Sequence, residues 1–395
     1  MSIRRDRRPT WAEIDLGAFE RNVDIIARSL PAGSRLIAVL KANGYGHGAI
    51  EVARRCTPDR VAMIATALLE ESLELRRAGI ALPLLVLGPL TREQVVVALD
   101  NGIVPGVVGP EELAEVCEVA RDRDVAIHLK LDSGMGRMGV TESELPRAAE
   151  MIRATPRLRV DAVYTHYASA DDDDAFTAAQ TANFDRMRGV IDAPLHHLAN
   201  SAATERGVVR PGDYVRCGIA LFGPSSAASR HLLPASGEKG TRHDRAESPS
   251  PREAGRGWRE APGEGPSLEP VLRWRTEIMR LKDLPAGHAV GYGTTFHTER
   301  ASRIATLPVG YADGYDRLLS NRGEVVVRGQ RAPVVGRVSM DLVTIDVTDI
   351  PDAAIGDDVE LLGDTITAQE LADKTGTITY EVFCRISARV PRVYR

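Results

Sequence analysis

The sequence RLIAVLKANGYGHGAIEVA, residues 35–53, contains the signal on which the fold prediction depends. A short apolar run predicts a buried strand, which ends at a lysine, Lys41. Gly44, Gly46 and Gly48 follow at every second position before a helical pattern of apolar residues resumes. A strand that turns into a helix is the repeating unit of α/β folds. The turn itself is predicted to hold a phosphate, to present a reactive lysine, or only to reverse the chain.

The same unit recurs across residues 16–223. Short apolar or β-branched runs alternate there with segments in which apolar residues have helical spacing. The predicted strands are IAVLK, VAMIAT, PLLVLG, IVPGVV, VAIHLKLD, VDAVYTH, LHHLAN and YVRCGIALFG. Such repetition over about 210 residues favours a (β/α)8 TIM-like barrel, and a doubly wound open sheet is the alternative.

The rest of the chain has a different character. Residues 225–268 are crowded with Ser, Gly, Pro, Arg and Glu and have no periodicity, which predicts a flexible insertion between two domains. From residue 269 onward, strand-like alternation between turn signals predicts a mostly-β domain. The expected organisation is therefore a barrel over 10–224, the insertion over 225–268 and a C-terminal β domain over 269–395.

Composition limits the classes of partner. The 395 residues include 43% hydrophobic and 27% charged residues, with a net charge of -5, which is typical of a globular protein. This charge provides no overall attraction for nucleic acid or an anionic membrane, so we expect small molecules or protein chains as partners. The basic N-terminus lacks the apolar region of a secretory signal, and no run is long and apolar enough to span a bilayer, which predicts a cytoplasmic protein.

The four cysteines, Cys56, Cys117, Cys217 and Cys384, lack CxxC spacing. Their distribution argues against a zinc site or a disulfide framework, and no metal is expected.

Polar residues cluster where the predicted strands end, which in a barrel is the catalytic face. They are Lys41, Lys130, Arg137, Tyr164, His166, Asn200, Ser201 and Arg216. Each alone could be a solvated charge or a satisfied core group. Together, a lysine at a strand end and potential phosphate donors at Tyr45, Ser201, Gly218 and Ile219 suggest pyridoxal phosphate, whose aldehyde reacts with an amine. A dinucleotide turn is disfavoured because the glycine spacing is G-x-G-x-G.

Nine stretches in this order resemble the bacterial alanine racemase family over nearly the whole chain outside the insertion. They are AVLKANGYGHG, HLKLDSGMGRMG, YTHYASADD, HLANSAA, RPGDYVRCGIALFG, VGYGTTF, PVGYADGYDR, GRVSMD and ITYEVFCRISARVPRVY. The resemblance implies a homodimeric isomerase that uses pyridoxal phosphate to interconvert L-alanine and D-alanine and supplies D-alanine for peptidoglycan.

The resemblance also implies individual roles. Lys41 matches the residue that holds the cofactor and takes the α-proton of the D enantiomer. Tyr292 matches the second base, which acts on the opposite face from the partner subunit. Arg216 matches the group facing the pyridine nitrogen, and His166 links it toward the tyrosine. Because a guanidinium keeps its protons, Arg216 donates a hydrogen bond without protonating the ring.

The remaining matches concern binding and access. Arg137 and the amide of Met340 match the groups that bind the substrate carboxylate, Arg137 also contacting the cofactor. Lys130 matches a lysine that is carbamylated in many relatives. The matched cofactor-binding residues are Lys41, Tyr45, Arg137, His166, Asn200, Ser201, Arg216, Gly218, Ile219 and Tyr380. The matched entrance residues are Asp171, Tyr311, Arg317, Arg337 and Asp341, which could also be an ordinary charged rim.

Three rival functions have distinguishing features. Amino-acid decarboxylases of similar plan pair the pyridine nitrogen with a carboxylate, which Arg216 argues against. Barrel proteins that only carry pyridoxal phosphate lack the β domain. A serine racemase or a broad-specificity racemase is also compatible with the sequence, because the volume of the substrate pocket is not given by any sequence motif. Ser339, Gly44 and Thr379 depart from common residues of the family, and none of these changes removes a catalytic group.

Overall fold

The computed structural model describes residues 8–223 and 267–395. The predicted strands form one parallel sheet of eight. Its strands are β2 Leu36–Val39, β3 Val61–Thr66, β4 Leu84–Val86, β5 Ile103–Val107, β6 Val125–Lys130, β7 Leu158–Tyr164, β8 Leu195–His197 and β9 Val215–Cys217. They lie in the order β8-β7-β6-β5-β4-β3-β2-β9, and an isolated bridge between His197 and Tyr214 joins β8 to β9, so the sheet closes into a barrel. The barrel prediction is confirmed.

The strands read as continuous apolar runs because the barrel interior and the surrounding helices bury both of their faces. All four residues of β2 are buried, for example. The helices around the barrel are Leu16–Ser29, Ala49–Ala53, Leu69–Arg77, Arg92–Asp100, Pro110–Val119, Leu145–Arg153, Asp174–Arg188 and Ser201–Glu205. The one beginning at Pro110 has its proline in the first turn, where the missing N–H costs no hydrogen bond.

The second domain is mostly β, as expected. Its strands are β10 Leu272–Glu277, β11 Arg280–Leu284, β12 Ala289–Val290, β13 Phe296–His297, β14 Ser302–Leu307, β15 Glu324–Val327, β16 Gln330–Pro333, β17 Val343–Asp346, β18 Asp358–Leu362 and β19 Arg392–Tyr394. Two helices, Ala368–Thr375 and Thr379–Arg385, follow β18. The second of them brings Tyr380 against Tyr45 of the barrel, with ring centroids 5.9 Å apart.

One strand lies in an unexpected sheet. The first strand of the chain, β1 Thr10–Ile14, pairs antiparallel with β10 and parallel with β19. It belongs to the six-stranded sheet β16-β15-β18-β10-β1-β19 of the second domain, although residue 10 was expected to begin the barrel. Thr10 is buried there and its hydroxyl contacts that of Thr276 at 2.8 Å, so a long-range pairing decides the assignment of this strand.

The expected insertion, 225–268, lies outside the described residues except for its last two. The segments that flank the insertion both form hydrogen bonds with the side chain of Asn22. The amide of Asn22 donates to the carbonyl oxygens of Leu221 at 3.2 Å and Glu269 at 2.8 Å, and its oxygen accepts from the amide of Glu269 at 2.7 Å. The two flanking segments therefore meet at the helix Leu16–Ser29. Among the described residues, no helix is both long enough and apolar enough to cross a membrane.

Candidate active site

Lys41 leads into a left-handed turn at the carboxyl end of β2. Ala42, Asn43, Gly44 and Tyr45 have φ values of 52°, 54°, 60° and 50°. The left-handed conformation costs roughly 1–2 kcal/mol for each residue with a Cβ, which here applies to three of the four. Such strain persists only where surrounding contacts hold it, and it concentrates at functional sites.

His47 is one of the residues that hold this turn. Its Nδ1 lies 3.0 Å from the carbonyl oxygen of Gly44 and 2.9 Å from that of Tyr45, so Nδ1 carries the proton and donates. Burial lowers the pKa of His47 to about 3, which keeps the ring neutral. The ring also stacks on Phe222 at 4.2 Å. Sequence reasoning missed this role, although the histidine stands inside the quoted GYGHG motif.

The glycines of the motif allow the turn and the close approach of the second domain. Gly46 has φ 81°, and a Cβ there would lie 2.5 Å from the carbonyl oxygen of Phe383. The three alternatives for this turn therefore overlap, because the same turn that reverses the chain also presents Lys41 and places Tyr45.

Tyr45, Ser201, Gly218 and Tyr380 form what we call the anion recess. A Cβ on Gly218 would lie 2.1 Å from the hydroxyl oxygen of Tyr45, so the phenol rests against the bare backbone of that glycine. The Ser201 Oγ accepts from the amides of Gly218 at 3.0 Å and Ala220 at 3.4 Å. Its own proton is then available to a ligand, as are the hydroxyl groups of the two tyrosines.

Arg216 lies in β9, two residues before Gly218, and is 4% exposed. Its guanidinium donates to the Nδ1 of His197 at 2.8 Å, to the Nδ1 of His166 at 3.2 Å and to the carbonyl oxygen of Thr165 at 2.6 Å. Because a guanidinium can only donate, both imidazoles accept through Nδ1 and carry their protons on Nε2. Burial lowers the pKa of Arg216 to about 10 and holds the pKa of both histidines well below the usual value.

One further histidine of the barrel interior, His128, completes this arrangement, and neither His128 nor His197 was singled out from the sequence. The Nε2 of His197 lies 3.0 Å from the Nδ1 of His128, and Tyr164 stacks on His197 at 4.6 Å. The adjacent pair in LHHLAN, at a strand end, was the available signal. Its inward-facing member could be identified only once the register of β8 was known.

The mouth of the barrel, by which we mean the carboxyl ends of β2 to β9, carries excess positive charge. Lys41, Lys130, Arg137 and Arg216 form no ion pair within 4.0 Å with any residue of the described ranges. Desolvation of the amines by the surrounding protein and the charge of Arg137 lower the pKa of Lys41 and bring that of the buried Lys130 to about 8. The carboxylate of Asp132, which follows β6, accepts hydrogen bonds from the backbone amides of Gly134, Met135 and Gly136. Such a mouth favours anionic ligands.

Two predicted residues of the second domain, Tyr292 and Met340, are exposed in the single chain, unlike Tyr380. Tyr292 stands between Gly291 and Gly293, is 72% exposed, and forms no hydrogen bond with any residue that the structure describes. Met340 is 53% exposed, and its carbonyl oxygen accepts from Ala312 at 3.0 Å. A single chain therefore leaves the candidate second base open to a neighbour.

The predicted entrance residues are exposed: Asp171, Tyr311, Arg317, Arg337 and Asp341. Tyr311 is tied to the Met340 loop, since its amide donates to the carbonyl oxygen of Ser339 at 3.0 Å. Asp341 pairs with Arg389 at 2.5 Å. Of the cofactor set, Asn200 caps the helix Ser201–Glu205 by accepting from Ala203 at 3.0 Å. Among the described residues, no group of His, Cys, Asp and Glu has the arrangement of a metal site.

Comparisons with known proteins agree along the whole chain. The model "Alanine racemase, N-terminal domain" matches residues 14–226, and "Alanine racemase, C-terminal domain" matches residues 271–394. A curated alanine racemase of Halothermothrix orenii is 38% identical over 404 residues, which cover 99% of this chain and 98% of that protein.

Solved structures give the same result. The alanine racemase of Bacillus anthracis with bound L-Ala-P is 34% identical, with a TM-score of 0.82 over 98% of this chain and 95% of that one. The alanine racemase of Bartonella henselae with covalently bound pyridoxal phosphate is 25% identical, with a TM-score of 0.81 over 98% and 100%.

Proposed function

The chain belongs to the alanine racemase family, and from this premise we propose that Lys41 and Tyr292 of the partner subunit act as the two bases that invert alanine. The chain is an alanine racemase, an isomerase that interconverts L-alanine and D-alanine. The observation that carries the residue assignment is the strained left-handed turn, which presents Lys41 in a mouth where Lys130, Arg137 and Arg216 form no ion pair with a described residue.

The described residues fit pyridoxal phosphate, the cofactor of this family. The anion recess offers donors for a phosphate, namely the hydroxyl groups of Tyr45, Ser201 and Tyr380 beside Gly218 and Ile219. Lys41 would hold the aldehyde, Arg216 would face the pyridine nitrogen, and Arg137, His166 and Asn200 would line the remaining side. Excess positive charge would offset the phosphate and the substrate carboxylate together.

When bound, the cofactor draws away the electron pair left on the α-carbon after its proton is removed. Lys41 takes or returns that proton on one face, in this proposal the face of the D enantiomer. An amine must be neutral to accept a proton, and the lowered pKa of Lys41 raises its neutral fraction at any given pH. Proton transfer by this base therefore strengthens as pH rises through the pKa of Lys41.

Inversion needs a second group on the opposite face, and Tyr292 of the partner subunit supplies it in this proposal. Within one chain the phenol is exposed and has no hydrogen-bond partner among the described residues, which suits a residue that completes a neighbour's site. The working enzyme is then a homodimer with two shared sites, each containing residues of both chains.

Arg216 favours racemisation over competing chemistry. It forms no ion pair with a carboxylate in the described ranges, and its hydrogen bonds to Thr165 and His197 fix the guanidinium in the barrel. A guanidinium that keeps its protons would donate a hydrogen bond to the pyridine nitrogen without protonating it, which would keep the cofactor a weaker electron sink and favour racemisation. This arrangement argues against a decarboxylase, for which a carboxylate would be expected at the same place.

Substrate selection rests on two groups and on pocket size. Arg137 would bind the substrate carboxylate through two parallel hydrogen bonds, a bidentate interaction, and the backbone amide of Met340 would donate a further one. Tyr292, Tyr380 and Met340 would crowd the side chain and favour the methyl group of alanine over larger ones. A serine or broad-specificity racemase of the same fold is the alternative. We propose supply of D-alanine for peptidoglycan in the cytoplasm as the biological role.

The experiment that tests the function combines spectroscopy with turnover. The purified protein should show the absorption band of a lysine-bound cofactor, and this band should be lost in Lys41→Ala. Racemisation should then be measured on alanine, serine and amino acids with large or basic side chains. Comparable rates on all of them would overturn the preference for alanine, and a missing band would overturn the cofactor assignment.

Gly218→Ala should weaken cofactor binding by disrupting the anion recess. The added Cβ would lie 2.1 Å from the Tyr45 hydroxyl oxygen, so the phenol must move away from the phosphate position. Overpacking of this kind lowers the free energy of unfolding by about 1–3 kcal/mol. Denaturant titration and equilibrium binding of pyridoxal phosphate measure the two effects. Gly189→Ala is the control, since Gly189 has a φ of -63° and an added Cβ would lie 3.6 Å from the carbonyl oxygen of Arg186, an ordinary contact. Unchanged cofactor affinity in Gly218→Ala would contradict this role.

Lys130 should form a carbamate with carbon dioxide, whose new carboxylate would orient Arg137. Burial brings its pKa to about 8 from 10.5, so the reactive neutral amine becomes the major form above that pH. A carbamate signal in the NMR spectrum with ¹³C-labelled bicarbonate should grow as pH rises through this pKa and disappear on acidification. It should be absent in Lys130→Ala. A wild-type spectrum without the signal at every pH would refute the modification.

A further inference from the structure

Glu71 connects two turns at the mouth of the barrel. One carboxylate oxygen accepts from the amide of Ala42 at 2.6 Å, and the other accepts from the amides of Ala67 at 2.9 Å and Leu68 at 3.1 Å. Ala42 directly follows Lys41, whereas Ala67 and Leu68 follow β3. A single side chain from the start of the helix Leu69–Arg77 therefore links the left-handed turn to the next strand of the barrel.

The hydrogen bond with Glu71 satisfies the backbone amide of Ala42, which has no acceptor within the turn. Later amides have partners within the turn, since Gly44 donates to the Leu40 oxygen and Gly46 to the Ala42 oxygen, both at 2.9 Å. Ala42 begins the turn, and its amide is instead satisfied by Glu71. Because Ala42 has a Cβ and φ 52°, an anionic acceptor at its amide favours a conformation that the residue otherwise avoids.

The barrel uses the same connection a second time, away from Lys41. Glu112, in the first turn of the helix Pro110–Val119, accepts from the amides of Leu90 and Val108, each at 2.6 Å. These amides follow β4 and β5. The repetition indicates that such a glutamate is a building element of this barrel, and it supplies a matched comparison at turns that carry no predicted cofactor residue.

We propose that Glu71 is a positioning residue for Lys41, which it fixes in the mouth by holding the amide of the next residue. The inference rests on the proposed role of Lys41 in binding the cofactor. Glu71 itself touches neither cofactor nor substrate in this proposal. It acts on the backbone that carries the lysine and, through its charge, on the lysine amine.

The electrostatic part has a defined sign. The groups that influence the Lys41 amine are Arg137, Arg216, His166, Cys384 and Glu71. Desolvation of the amine and the two arginines lower its pKa, whereas Cys384 and Glu71 raise it. Loss of the Glu71 charge therefore lowers the pKa of Lys41 further.

The test compares Glu71→Ala and Glu71→Gln with Glu112→Ala and Glu112→Gln in the full-length holoenzyme. The dissociation constant of pyridoxal phosphate is measured by fluorescence. We expect it to rise at least about 10-fold in Glu71→Ala, because a charge-assisted hydrogen bond to the turn is lost. In Glu112→Ala we expect it to rise less than about 3-fold. The acidic limb of the kcat profile from D-alanine to L-alanine should move to lower pH in both Glu71 variants and stay in place in both Glu112 variants.

A double variant separates the backbone effect from the charge effect. Ala42→Gly removes the Cβ that disfavours the left-handed turn, so in the Glu71→Ala background it should restore most of the cofactor affinity. It should leave the displaced pH limb unchanged because the charge is still missing. Should Glu71→Ala fail to fold, Glu71→Gln carries both measurements.

Equal cofactor affinities and pH limbs in the Glu71 and Glu112 variants would overturn the inference while leaving the racemase intact. Failure of the proposed function looks different, because the unchanged protein itself would then bind no cofactor through Lys41.

Discussion

Lys41→Ala is expected to reduce racemisation of alanine in both directions by at least about 10³-fold, because one residue supplies both the attachment of the cofactor and one of the two bases. The variant should still fold. The left-handed turn after Lys41 is held by backbone and side-chain contacts of Asn43, His47 and Glu71, none of which involves the lysine side chain. Turnover of each enantiomer by a chiral assay, with the absorption spectrum, measures the effect.

Lys282→Ala is the control for Lys41→Ala. Lys282 lies in β11, is exposed and forms no ion pair with a described residue, so this variant should keep its turnover and spectrum. Retention of more than about a tenth of the wild-type rate in Lys41→Ala would contradict a role as base, since general bases contribute roughly 10²–10⁴-fold.

Tyr292→Phe is expected to reduce racemisation by about 10²–10⁴-fold while leaving cofactor binding intact, because it removes only the hydroxyl of the second base. The loss should be asymmetric. Lys41 can still remove the α-proton of D-alanine, so exchange of α-deuterium from D-alanine into water should persist, whereas exchange from L-alanine should be lost. NMR of each labelled enantiomer measures the two rates. Tyr214→Phe, at the opposite end of β9 from the mouth, should change neither.

Co-expression of the two inactive variants tests whether sites are shared. In a dimer of one Lys41→Ala chain and one Tyr292→Phe chain, one site lacks both bases and the other has both. Random pairing should therefore return about a quarter of the wild-type activity, as expected of two-fold symmetric dimers. Mixtures that stay inactive, although mixed dimers form, would contradict the contribution of Tyr292 from the partner subunit.

The barrel could be predicted because the pattern that indicates it involves only residues close together in the chain. Each strand must be apolar on both faces and must be followed by a helix, so apolar runs and segments of helical periodicity alternate along the sequence. The strand-end positions of Lys41, His166, Ser201 and Arg216 follow directly from that pattern. The family motifs then added residues such as Tyr292, which no local pattern marks as functional.

Other features depend on contacts between distant parts of the chain. The strand Thr10–Ile14 pairs with residues 272–276, a choice that its own five residues do not specify. The turn after Lys41 is similar, since a glycine pattern allows a left-handed conformation without requiring it. Glu71 and the backbone around Phe383 contact it from distant parts of the chain, and His47 holds it from within the same motif.

The sequence by itself determined the α/β barrel, the mostly-β second domain and the lysine at the end of a buried strand, because hydrophobic periodicity and strand-end chemistry are properties of neighbouring residues. Only the tertiary structure decided which ring nitrogen carries the proton in the histidines around Arg216 and which carboxylate binds the turn after Lys41. It also decided that the phenol of Tyr292 is exposed in the single chain. Hydrogen-bond direction, burial and exposure are relations between residues far apart in the chain, and they exist only after the chain has folded.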